Sequence, residues 1–412
     1  MMKSLLALNA LNFFMADVRD GLGPFLGVFL QEKGWSPAEI GVVMTIGGYA
    51  GMIATTPLGA LVDGTKAKRG LMIVSALAVI AASMVILVFP TFLATTSAQV
   101  INGIAGAAIG PAMAGMTLGL VRQSGFAHQL GRNEAFNHAG NVTAALLSGA
   151  FGYLFGLTVV FFVMAAMAAG SIFAALAIDP HRIDHGAARG LVGKPEAKAS
   201  SFAVLVRSKP LIVLAFTLAL FHLGNAAMLP LLGQALVARG AGDPSAFTAA
   251  TVVVAQLSMI PMALLASRLA QTRGYWVVFV AALVALPVRG AIAATVTGPW
   301  GLVPVQILDG VGAGLLGVAT PGLVARILAG TGHVNAGLGA VMTLQAVGAA
   351  SSPALAGLVA QEFGYSAAFV ALGAIAAIGL ALWLMATPIV GPACRNDKEL
   401  SPSKQGGQAD QC

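Results

Sequence analysis

The chain has 412 residues, of which 58% are hydrophobic and 9% charged, with a formal net charge of +7 and a mean hydropathy of +0.88. Soluble domains carry about 25% charged residues, so this composition excludes a water-soluble protein, and its hydrophobicity excludes a disordered one. The 51 glycines follow no triplet period, which excludes a collagen-like fibre.

What remains is an all-α polytopic membrane protein. A spanning helix needs about 20 apolar residues. Twelve such runs lie between charged or Pro/Gly-marked breaks: 5–30, 38–61, 71–89, 94–121, 133–156, 158–178, 211–236, 246–267, 275–296, 301–326, 335–360 and 366–386. We number them spans 1 to 12. Span 1 opens like a signal peptide, with Lys3 ahead of an apolar run. No small-residue cleavage site follows, and Asp17, Arg19 and Asp20 interrupt the run, so it reads as a retained first helix.

Lysine and arginine placement sets the expected orientation. With the N-terminus inside, the cytoplasmic side holds Lys3, Lys66, Lys68, Arg69, Arg122, Arg132, Arg182, Arg189, Lys194, Lys198, Arg207, Lys209, Arg268, Arg273, Arg326, Arg395, Lys398 and Lys404. The outer loops hold only Lys33 and Arg239, while Arg19 and Arg289 fall inside spans. This bias predicts cytoplasmic termini in a bacterial inner (plasma) membrane. The excess positive charge is thus a topology signal, and no nucleic-acid partner is implied. The polar, basic stretch 179–209 reads as a cytoplasmic linker between six-helix bundles at 1–178 and 210–387, with a disordered tail over 388–412.

The two bundles overlay at an offset of 204 to 208 residues. PFLGVFLQEKG (Pro24–Gly34) matches PLLGQALVARG (Pro230–Gly240), and Pro57, Arg69 and Gly70 match Pro261, Arg273 and Gly274. QVINGIAG (Gln99–Gly106) matches QILDGVGA (Gln306–Ala313), and Gly131, Gly140, Gly149 and Gly156 match Gly339, Gly348, Gly357 and Gly364. Two parallel six-helix repeats around a central site are an architecture of secondary transporters.

On these residues the chain resembles the major facilitator superfamily over nearly its whole length. GALVDGTKAKR (Gly59–Arg69) is similar to that superfamily's loop between helices 2 and 3, with Asp63, Lys68 and Arg69 in place as a gating loop. Gly64 stands at the loop's first basic position and Lys66 at its glycine. Span 4 carries Gln99-x-x-x-Gly103 where the proton-antiport branch carries R-x-x-x-G, and a string like that branch's span 5 motif, GAASSPALAG, lies on span 11 instead. GRNEAFNHAGN (Gly131–Asn141), Arg289 and Asp309 are more similar to the sugar and nucleoside proton-symporter branch. The resemblance implies a monomeric fold of two pseudo-symmetric bundles working by alternating access.

Ionisable residues inside a span are costly and mark cavities or partners. On span 1, Asn9, Asn12, Asp17, Arg19 and Asp20 share about 160° of one face. Asp17 and Asp20 are candidate proton carriers, with Arg19 as an ion-pair partner. On span 5, Glu134, Asn137, His138, Asn141 and Ser148 form a polar stripe, which lines a cavity or joins helices. Glu134 and His138 are placed to share a proton. Arg289 and Asp309 are expected to pair, and breaking that pair would let Asp309 take a proton. His222 and Asn225 on span 7 face span 1 in the repeat, and Gln256 and Gln345 add neutral donors and acceptors. The glycine runs of spans 2, 4 and 10 read as close-packing faces.

The function these residues support is proton-coupled secondary transport of a small organic solute across the bilayer. Efflux of drugs or toxic metabolites by proton antiport is the alternative. Soft ligands at Met113, Met116, Met259, Met262, His138 and His222 leave a transition-metal transporter as a minor one. No P-loop pattern and no nucleophile–base set is present, so neither an ATP-driven pump of that type nor an enzyme is expected. Cys394 and Cys412 have no ligand spacing, and no cofactor is implied.

Overall fold

Helix starts repeat between the two halves because their capping residues do. Ser36 accepts from the Glu39 amide while the Glu39 carboxylate accepts from the Ser36 amide, a capping box with Pro37 in the first turn. The Asp243 carboxylate accepts from the Ala246 amide ahead of Pro244. Such caps stabilise a helix start by about 1 kcal/mol each. In the computed structural model, which describes residues 2–19, 22–185, 206–240, 242–295, 298–329, 331 and 334–395, all described regular structure is helical.

The elements are α1 (Met2–Arg19), α2 (Gly23–Glu32), α3 (Pro37–Gly64), α4 (Lys68–Val88), α5 (Phe92–Phe155), α6 (Val159–Ala177), α7 (Lys209–Asn225), α8 (Met228–Arg239), α9 (Pro244–Thr272), α10 (Tyr275–Thr295), α11 (Leu302–Ile327), α12 (Val334–Phe363), α13 (Tyr365–Met385) and α14 (Thr387–Cys394). Ten stretches are long and apolar enough to cross a membrane. Spans 1 and 5 are the two expected spans outside that set. They carry the charged and amide side chains that the sequence marks as functional.

Three expectations change. Span 1 departs from a single straight helix, because Gly23 at the start of α2 takes a φ of +49°, which suits glycine, and α1 is described as far as Arg19. The connection between spans 4 and 5 is helical where a loop was expected: two helices meet directly at a kink at Arg122 (φ 56°, ψ −177°), and α5 denotes both arms. A straight helix would separate Thr117 from Asn133 by about 24 Å at 1.5 Å per residue; instead the Asn133 amide donates to the Thr117 hydroxyl at 2.8 Å. Finally, the tail is not irregular from Pro388 onward. Residues Thr387–Cys394 form α14, which buries Val390 and Cys394 against the second half. The remainder of the tail and linker residues 186–205 lie outside the described residues.

Each half has its own apolar core. Leu8, Leu11, Met72, Val79, Ile109 and Met164 centre the first, and Leu214, Leu218, Phe279, Leu283, Phe369 and Trp383 the second. The basic loop residues tie helices together within the first half. Lys68 is fully buried, and its Nζ donates to the Val62 and Thr65 carbonyls at 2.7 and 2.9 Å. Arg69 donates to Ile178 O at 2.8 Å. Both cations thus sit on helix C-termini, where free carbonyls favour positive charge. The Asp63 backbone ends α3, and its side chain lies outside the description.

The halves meet through small residues. A Cβ on Gly41 would overlap the Pro353 carbonyl, and one on Gly357 the Pro37 carbonyl. Gly149 and Gly152 of α5 leave equally little room against Ala249 and Ser245 of α9. Without a hydrophobic drive in lipid, such close approach supplies the packing.

Candidate functional site

Among the described residues, hydrogen bonds join the halves from Tyr49 Oη to Ser351 Oγ (2.7 Å), from the Ala354 amide to Thr45 Oγ1 (3.0 Å), from Tyr365 Oη to Gln31 Oε1 (3.3 Å), and between His138 Nδ1 and Gln256 Oε1 (2.6 Å). The first three lie in the half of each helix remote from the end where Lys68, Arg69, Arg122 and Arg326 collect, and the fourth lies near mid-helix. Toward that basic end, α3 and α12 line a cleft of about 440 Å³ that begins where Gly48 meets Ala350. The structure is therefore closed at one face and open toward the basic one.

One wall of the cleft is polar and comes from the first half. Arg19, Gln99 and Asn102 line it, together with Met52 and Thr55. The opposite wall is Ala346, Ala349, Ala350 and Pro353 of α12. A side cavity of about 90 Å³ opens beside Arg19 and is lined by Asn12, Asn133, Glu134 and Asn137. Arg19 and Glu134 are both exposed to these spaces, and Asn137 is half-buried.

Below the side cavity lies a buried amide chain. Gln129 donates to Asn9 Oδ1 at 2.8 Å and to Asn133 Oδ1 at 2.9 Å, and Asn133 donates to Thr117. It ties α1 to both arms of α5. Gln129, Asn133 and Asn102 were not legible as site residues in the sequence. Gln129 lies outside the apolar run of span 5, and Asn133 stands at its edge. The i,i+4 spacing of Gln129 and Asn133 was the available signal.

Span 7 stays in the right-handed helical region through Ala226 and Ala227, where α7 passes into α8, and Asn225 there lies 206 residues beyond Arg19. The Ala227 amide donates to Ser352 Oγ of α12 at 3.0 Å. Arg289, fully buried, donates to Asn225 Oδ1 at 2.6 Å and to Asp309 Oδ1 at 2.7 Å, with Gln306 Oε1 at 3.5 Å. The expected Arg289–Asp309 pair is thus present, and it also holds the end of α7.

The other sequence candidates separate. His138 binds Gln256 across the halves, and no hydrogen bond joins it to Glu134. Asp17 is half-buried on α1 and lines neither space described, while Asp20 lies outside the described residues. Asn12 donates to its own helix at Leu8 O, 2.8 Å. His222 packs edge-on against Phe221 at 5.5 Å. Asn141 and Gln345 are half-buried on α5 and α12. Met116 is core and Met113 lines the side cavity, and no group of three His, Cys, Asp or Glu able to hold a metal occurs among the described residues.

A two-half helical bundle enclosing a cleft open to one face has the architecture of a membrane solute transporter. Residues 5–304 match the model of the Major Facilitator Superfamily, and the chain belongs to that family. Its members are transporters, not enzymes. An uncharacterized MFS-type transporter of Mycobacterium tuberculosis is 43% identical over 386 residues, covering 93% of this chain and 92% of the relative; it is MT2531 in strain CDC 1551 / Oshkosh and Rv2456c in strain ATCC 25618 / H37Rv. Solved structures share the fold. A mutant of the nucleoside transporter NupG aligns with a TM-score of 0.77 at 13% identity, over 93% of this chain and 99% of that one. A bacterial homolog of the human lysosomal transporter Spinster, inward-facing and unoccupied, aligns at 0.75 and 14% identity, over 96% and 98%. A POT family transporter in complex with 5-aminolevulinic acid aligns at 0.75 and 12%, over 94% and 96%.

Proposed function

We propose that this protein is a proton-coupled secondary transporter that moves a small organic solute by alternating access as a monomer. The observation that carries this reading is the cleft, open toward the basic face and closed at the other by small-residue contacts that can separate and re-form. The basic face is cytoplasmic in this proposal, since the lysine and arginine bias follows the side of synthesis. Both termini then lie inside, in the inner (plasma) membrane, and the structure corresponds to the inward-open state.

Among the acidic candidates Asp17, Asp20, Glu134 and Asp309, we assign the exchangeable proton to Glu134. It is the described carboxylate that stands exposed inside a cavity within reach of bulk water. Asp309 is held by Arg289, and the pair positions the end of α7 through Asn225. The test is proton flux in proteoliposomes loaded with a pH dye and presented with pools of organic acids, sugars and nucleosides. Solute-dependent acidification is expected, and Glu134→Gln should abolish it while leaving solute exchange intact. If no pool moves protons, or Glu134→Gln moves them normally, the coupling proposal fails.

A further inference from the structure

We propose that the cleft selects a small amphipathic organic anion whose carboxylate or phosphate group binds Arg19, and that this anion and the Glu134 carboxylate compete for the same guanidinium. The proposal deepens the transport reading by naming its substrate class.

The argument starts from where the cations of the helical interior find acceptors. Lys68 donates to two carbonyls, Arg69 to the end of α6, and Arg289 to Asp309 and Asn225. Arg19 differs. Its guanidinium makes no hydrogen bond or ion pair with any described residue, and the side chain stands exposed where the wide cleft and the side cavity join. An exposed guanidinium at the edge of a cleft is available to a ligand that supplies negative charge. Guanidinium pairs best with planar or tetrahedral oxyanions, which accept two parallel hydrogen bonds.

The surroundings narrow the ligand. Asn102 donates to Gln99 Oε1 at 3.1 Å, which leaves its buried Oδ1 without a partner and able to accept from a hydroxyl or amine. The facing wall of Ala346, Ala349, Ala350 and Pro353 offers only apolar surface. A bound molecule therefore has a charged, hydrogen-bonding side toward α1 and α5 and an apolar side toward α12. The cleft of about 440 Å³ is of ordinary size for a small-molecule site.

Charge balance then links solute and proton. Arg19 is the other ionisable residue that lines the side cavity with Glu134; Arg132 and His138 lie two and four residues from it on its own helix, and Asp17 lies on α1 without lining the cavity. The facing arm of α5 presents Ile109, Gly110, Met113 and Ala114, and α9 presents the neutral Gln256. Arg19 is the cation that shares the cavity with Glu134. With Glu134 ionised, a carboxylate lines the same cavity as Arg19 and, though not bonded to it here, offers it a counter-charge. Protonating Glu134 frees Arg19 for the solute anion, so anion and proton load together without net charge.

The test is equilibrium binding to the purified full-length protein, read as thermal stabilisation with matched probes: lactate against lactamide, benzoate against benzamide, and glycerol 3-phosphate against glycerol. We expect anions to bind at least about tenfold tighter than their neutral twins. The carboxylate and phosphate arms separate the two head groups. Arg19→Gln should remove the preference for anions and Arg19→Lys retain part of it, which distinguishes lost binding from lost folding. Glu134→Gln removes the competing carboxylate and should tighten anion binding several-fold. Equal affinity for anions and neutral twins, or an anion preference that survives in Arg19→Gln, overturns the site. An anion affinity unchanged in Glu134→Gln overturns the competition. Because binding is measured without a gradient, failure here is separate from failure of proton-coupled transport.

Discussion

The two halves are built on one pattern and keep their charge in opposite ways. In the first half Arg19 is the last described residue of α1 and faces an open cleft. At the equivalent place in the second half stands Asn225, bound by a buried Arg289 that is itself paired with Asp309. At the same offset of 206, Arg289 and Asp309 correspond to Ser83 and Gly103 in the first half. Ser83 is buried, and Gly103 packs where a Cβ would strike α3. The first half therefore lacks that ion-pair clamp and is tied instead by the Asn9–Gln129–Asn133–Thr117 amide chain, while Arg19 faces the cleft. The second half has the clamp, and the end of α7 is anchored. Under the proposal above, two similar backbones divide the work, one half binding solute and the other holding shape.

This contrast can be broken most strongly at Arg289. Arg289→Ala strands the buried Asp309 carboxylate and should destabilise the protein by about 3–5 kcal/mol, seen as a large drop in thermal unfolding temperature. Arg19→Ala should leave that temperature close to the parent, since an exposed side chain without a partner among the described residues holds nothing in place. If both variants melt alike, the division of labour is wrong.

A smaller effect is expected at the sealed end. Gly41→Val puts side-chain atoms into the Pro353 carbonyl and should disfavour the observed closure by roughly 1–3 kcal/mol. Cysteines placed at the outer ends of α3 and α12 would then gain access to a membrane-impermeant thiol reagent. Next comes the His138–Gln256 bond, which joins the halves near the midplane. His138→Ala removes one hydrogen bond, worth about 1 kcal/mol, and should raise the same accessibility by roughly fivefold. Unchanged labelling would mean that this bond does not hold the closed face.

The smallest effect concerns α14. Burial pushes the Cys394 thiol up to about 12, against a lesser opposing effect of Arg326. A thiol raised in the folded state contributes stability at low pH that is lost as pH climbs from its unfolded value, near 9, toward 12. Cys394 should accordingly resist alkylation near neutral pH in folded protein and react on unfolding. Rapid labelling of the folded form would show that α14 does not stay docked.

Periodicity and charge carried much of this in advance. The apolar runs located the spans, and the interruption by Asp17, Arg19 and Asp20 marked the place where span 1 departs from a straight helix. Arg289 and Asp309 were recognisable as partners because two opposite charges in apolar helices have few other stable states. The gating-loop cations were visible as a motif but not as helix caps, since nothing in the string says that Arg69 reaches Ile178. Likewise Gln129 and Thr117 look like ordinary polar residues until α5 folds back at Arg122 and brings them beside Asn9.

Composition and spacing were sufficient for membrane residence, two related halves and the identity of the interior charges. Those properties follow from transfer energies, which each residue carries with it. Which charges would be clamped and which would face a cavity depended on packing, because burial and hydrogen-bond geometry are properties of neighbours brought together from distant segments. Arg19 and Arg289 are the same residue type in similar apolar helices. Only the assembled bundle gives one of them an aspartate and an asparagine and sets the other at the edge of a cleft.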